Sequence, residues 1–155
     1  MMGTLIRGSV AGAAGTTLLN AMTYGDMALR GRPASDVPER TVVALAAKAG
    51  LGVPGEGQTR ESRLTGLGAL SGIAVGVAAG TAVSVIRRAG LRLPWWAGGV
   101  LTGALAMAAT DLSMADLKVS DPRTWSGADW LSDAVPHLVY GLVTYGVLVA
   151  AEPRS

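Results

Sequence analysis

Asp129, Asp133 and His137 stand four residues apart, and Tyr140 and Thr144 continue the run. On a helix that spacing places them on one face. An imidazole titrates near neutral pH, so it can exchange a proton with a carboxylate one turn away. Asp111, at the end of the preceding apolar segment, is a further acid at the same depth, and Asn20 and Asp26 in the first segment are candidate partners. Three readings of the row stand side by side. It is a polar cluster that fixes its helix against its neighbours, a proton or ion path, or a metal site. The metal reading is short of ligands: the chain has one histidine, no cysteine and no His-Glu-x-x-His pair. No metal or other cofactor is expected.

Catalytic arrangements are poorly supplied. A Ser-His-Asp set would have to use His137, and no Gly-x-Ser-x-Gly elbow is present. The glycine-rich segment lacks the Gly-Lys-Ser/Thr ending of a phosphate-binding loop. No catalytic residue is assigned, and an acid–base site acting on lipid at the interface is the one enzymatic form left open.

The elements that must carry these residues are apolar. Half of the 155 residues are hydrophobic and 15% are charged, against about 25% charged in soluble domains. There are 22 glycines and no phenylalanine, a poor supply for a soluble core but a good one for close helix packing in a bilayer. About 20 apolar residues cross the hydrocarbon, and four segments are expected to do so, at about 4–29, 64–86, 94–111 and 130–151. The expected fold is therefore all-α, one polytopic membrane domain built as a four-helix bundle. A cleaved signal peptide is the rival reading of the first segment, which carries Arg7, Asn20 and Asp26. Between the first two spans, Asp36-Val-Pro-Glu39 reads as a helix start, with Asp36 able to cap. A short amphipathic helix at about 37–49 follows, lying on the membrane or covering the bundle.

Small residues form rows. Gly68, Gly72, Gly76 and Gly80 recur at every fourth position, Gly8 and Gly12 form a shorter row, and Gly99 and Gly103 another. Such a glycine zipper makes a smooth groove for a second helix. It is either a seam inside one bundle or a surface for self-association or a membrane-protein partner. The lipid bilayer is the expected surrounding. A net charge of +2 without a basic helix argues against nucleic acid.

Abundant Ala, Gly, Val and Arg suggests a GC-rich bacterial genome and hence the inner membrane. Arg87, Arg88 and Arg92 are the densest basic cluster, which places both termini in the cytoplasm, although the raw Lys and Arg count favours the opposite orientation.

The run Trp95-Trp-Ala-Gly-Gly-Val-Leu-Thr-Gly-Ala-Leu-Ala106, then Trp125, Ser132-Asp133 and His137-Leu-Val139, resembles the YagU-type family of small bacterial inner-membrane proteins. The resemblance spans Leu93 to Tyr140. Asp133 stands where the family has Glu, and Pro136 where it has Gly. It implies a polytopic membrane fold and makes Asp133 and His137 the positions of interest.

Overall fold

The computed structural model describes residues 1–151, and among these the chain is all-helical, with no strand. Helix α1 is Met2–Arg30, α2 Val37–Lys48, α3 Gly57–Arg88, α4 Trp95–Asp116 and α5 Gly127–Ala150, with a 3-10 turn at Pro122–Thr124 before α5. The ends follow local chemistry. Gly31, with φ 63°, supplies the left-handed stop after α1. Pro94 precedes α4. Ser126 and Asp129 form a reciprocal capping box at the start of α5. Asp36 departs from its expected role: its side chain makes no capping bond. Ser35 accepts from the Val37 N–H instead, and Glu39 accepts from Thr65 of α3.

Helices α3 and α4 outrun their apolar stretches. Gln58 to Arg63 is polar but rich in helix formers, so α3 begins near Gly57. Hydropathy marks where a helix meets hydrocarbon, not where it starts.

Antiparallel pairing builds the frame. Ser84 of α3 bonds the Thr4 carbonyl of α1 at 2.9 Å, while Gly12 lies against Gly76, so α1 and α3 run in opposite senses. Arg7 reaches the Ala151 carbonyl and Arg30 reaches Ser132, which sets α5 antiparallel to α1. Gly98 faces Tyr145 and Gly103 faces His137, which sets α4 antiparallel to α5. The order in space is α3, α1, α5, α4. Helix α2 buries none of its residues fully. It lies with Pro38 against Gly68 of α3 and is tied to the end of α4 by a Lys48–Asp116 ion pair of 2.8 Å. Pro136 is buried inside α5, where it cannot donate to the Ser132 carbonyl.

Among the described residues the interior holds few large apolar side chains, Leu64, Val119, Tyr140, Tyr145 and Leu148. Thr4, Thr16, Ser84, Arg87, Thr102, Asp111 and Thr144 are buried, while Leu70, Ile73, Val75, Val100, Leu105 and Leu131 are exposed. Helices α3 and α5 are long and apolar enough to cross a membrane, with mean hydropathy of 2.0 and 1.3 over their best stretches. Helices α1 and α4 are also long, but their most apolar stretches fall below that level.

Candidate functional site

Glycines set the frame that holds the polar row. A Cβ added at Gly8 would lie 2.6 Å from the Thr81 Cα, and one at Gly80 would lie 2.5 Å from the Gly12 Cα. Neither position admits a side chain while α1 and α3 keep their separation. Ser9 and Thr81 share a hydrogen bond across the same seam. Between α4 and α5 the arrangement repeats: a Cβ at Gly99 would meet Leu142, one at Gly103 would meet the His137 carbonyl, and one at Gly141 would meet Gly99 and Gly103. Gly76 faces Thr16, and Gly68 faces Pro38. Gly72 differs: nothing within the chain lies within 4 Å of its Cβ position, so the α3 row is not one continuous seam.

This close approach brings Asp111 of α4 beside α5. Asp111 is 4% exposed and within electrostatic reach of Asp133 and His137. His137 Nδ1 lies 3.3 Å from Asp133 Oδ1 and 3.0 Å from the Asp133 carbonyl, one turn back on the same helix. Asp111 Oδ1 and Asp133 Oδ2 are buried and have no hydrogen-bond partner. One turn further along, the Tyr140 hydroxyl donates to the Gly76 carbonyl at 2.7 Å, and Thr144 is fully buried against Gly15.

Asp129 is not part of that cluster. It is spent on the capping box, accepting from the Ser126 N–H at 2.9 Å and from the Ser126 hydroxyl. Those donors hold its carboxyl below the usual carboxylate range. Asp26 also turns elsewhere, pairing with Arg30 and Arg32 at 2.6 Å each. Asn20 is half-buried on α1. The row read from spacing is therefore Asp133, His137 and Tyr140, joined by Asp111 from a second helix. Among the described residues, no group of three potential ligand side chains converges to hold a metal ion.

Two contributors were not visible in the spacing. Arg30 bonds Ser132 at 2.6 Å and anchors α1 beside the cluster. Tyr145 accepts from the Leu93 N–H at 2.9 Å and donates to the Leu93 carbonyl at 3.2 Å, pinning the α3–α4 connection to α5. Its aromatic ring beneath the end of a helix, near a run of arginines, is a signal only once the helices are paired.

No family model, curated protein or solved structure matches the chain.

Proposed function

We propose that the chain is a small four-span membrane protein of the bacterial inner membrane, non-enzymatic, whose role is structural or partner-binding. The observation that carries this reading is the side-chain distribution: beside a few large residues the interior holds small and polar ones, while large apolar residues face outward on α1, α3, α4 and α5 alike. In water such a surface would drive aggregation; in hydrocarbon it is the lower-energy arrangement. Trp95 and Trp96 at one end, and Trp125 and Trp130 at the other, mark the two interfaces, the latter pair stacked edge to face at 5.2 Å. The exposed face of α3 around Gly72, Ile73 and Val75 is the surface available to a second copy or another membrane helix.

The chain has no cysteine, so single cysteines at Met2, Ala34, Leu91 and Ala128 test the four spans directly. Four crossings put Ala34 and Ala128 on one side and Met2 and Leu91 on the other. Crossing by α3 and α5 alone would put Leu91 and Ala128 on the same side, and that labelling pattern would sink the proposal.

A second reading rests on the unpartnered, buried carboxylate oxygens of Asp111 and Asp133 beside His137. It makes the protein a small proton- or ion-conducting transporter with Asp133 and His137 as its relay. Loss of flux in D133N, with folding retained, is its test.

A further inference from the structure

At the end of the bundle opposite the acid–histidine cluster, four arginines converge on a cavity of about 430 Å³. Arg7 comes from α1, Arg87 and Arg88 from the last turn of α3, and Arg92 from the connection to α4; Thr4 and Ser84 complete the polar wall. The volume is within the range of small-ligand sites.

The site is built rather than merely basic. Arg87 is 5% exposed, and its guanidinium lies 4.3 Å from the centre of the Tyr145 ring, a cation–π contact that restrains it. The same Tyr145 holds Leu93 through both its N–H and its carbonyl, so the segment bearing Arg88 and Arg92 is tethered at its far end. Arg7 is held by the Gly3 and Ala151 carbonyls. Side chains ordered beforehand lose less freedom on binding.

Charge is also sorted along the bundle. Among the described residues the acidic side chains lie at the other end or in its connections, interspersed with the remaining basic ones, while Arg7, Arg87, Arg88 and Arg92 gather here. Trp95 and Trp96, both exposed, begin the neighbouring helix, at the depth where headgroups lie.

We propose that this pocket binds a phosphate-class anion, held by forked guanidinium hydrogen bonds. Its position at the edge of the bundle makes the headgroup of an anionic phospholipid the favoured source, with soluble phosphate the other. The pocket's existence does not depend on the number of spans; only the lipid source rests on the membrane reading.

The test uses the full chain in nanodiscs of phosphatidylcholine with a minor share of phosphatidylglycerol, and separately in detergent with inorganic phosphate. The variant is R88Q/R92Q, which spares buried Arg87; K118Q/R123Q removes the same charge at the opposite end. Selective retention of phosphatidylglycerol, weakened roughly thirtyfold in R88Q/R92Q and unchanged in K118Q/R123Q, is the expected result, from about 1 kcal/mol per basic residue. Stabilisation by inorganic phosphate that R88Q/R92Q removes, without lipid selectivity, supports the site and assigns it to a soluble anion. Equal retention in wild type and R88Q/R92Q, equal loss in both double variants, or no response to either anion overturns it. The cysteine pattern above, read on the same samples, separates failure of this site from failure of the four-span reading.

Discussion

The Tyr140 hydroxyl donates to the Gly76 carbonyl at 2.7 Å, joining α5 to α3, two helices that otherwise meet mainly through α1. Tyr140 is 2% exposed, and it reaches the α3 backbone at a residue with no side chain to shield it. Replacing Tyr140 with Phe removes the bond and keeps the ring. Interhelical hydrogen bonds in bilayers average about 0.6 kcal/mol, so Y140F should lose about that much in an unfolding titration with denaturing detergent. A much larger loss would show that the hydroxyl organises more than this one contact.

The glycine positions should differ sharply from one another. G80A places a methyl group 2.5 Å from the Gly12 Cα and should cost roughly 1–3 kcal/mol, the range for overpacked interiors. G72A meets nothing and should be at least as stable as wild type, since alanine is the better helix former. Equal stability of G80A and wild type would mean that the α1–α3 seam yields to admit a methyl group without cost. G72L serves a second purpose: monomer stability unchanged with an altered oligomeric state would place a partner helix on that face.

Flux distinguishes the two functional readings. Beyond His137 the row continues to Tyr140 and Thr144, both buried. Proteoliposomes bearing the wild-type protein are therefore expected to leak protons and cations no faster than empty vesicles. Flux in the wild type that disappears in D133N and H137A would replace the structural reading with the conducting one.

Acid should loosen the start of α5 first. The Ser126 hydroxyl and N–H hold the Asp129 carboxyl below its ordinary range. A lowered folded-state value means the stabilisation is present above the ordinary carboxylate range and is lost as pH falls through the depressed one. Amide protection at Trp130 and Leu131, the exchange rate taken relative to its intrinsic value at each pH, should fall over that acid window in wild type. In D129N the exchange should already be faster at neutral pH, with a flatter acid profile; an unchanged profile would remove Asp129 from the cap.

The helices were legible in the sequence because apolar length and periodicity report them directly, as did the proline and glycine that punctuate α2 and α4. Pairings were less legible. The rows at Gly8, Gly76 and Gly99 announce close approach, but a stripe carries no mark of which stripe it meets, and Gly72 shares the spacing while facing nothing. Asp129 illustrates a different limit. Its four-residue distance from Asp133 says both lie on one face, yet Ser126 three residues earlier competes for it, and a capping bond to a charged acceptor wins at a helix start. The arginine pocket draws on α1, α3 and the α3–α4 connection, so spacing along the chain could not reveal it. Arg87, Arg88 and Arg92 read as an orientation signal until Tyr145 and Arg7 are brought beside them.

Pro136 gives α5 a seam of its own. Because it offers no N–H to the Ser132 carbonyl, one rung of the helix is absent, and proline is a common point of bending. The segment before it is held by the Ser126 cap and by Arg30; the segment after it is clamped by Tyr140 and Tyr145. Mechanically, α5 is one rod with two separate moorings and a weakened rung between them. The Asp133–His137 pair straddles that rung. The side-chain contact between Asp133 and His137 thus bridges the one turn of the rod whose backbone ladder is incomplete.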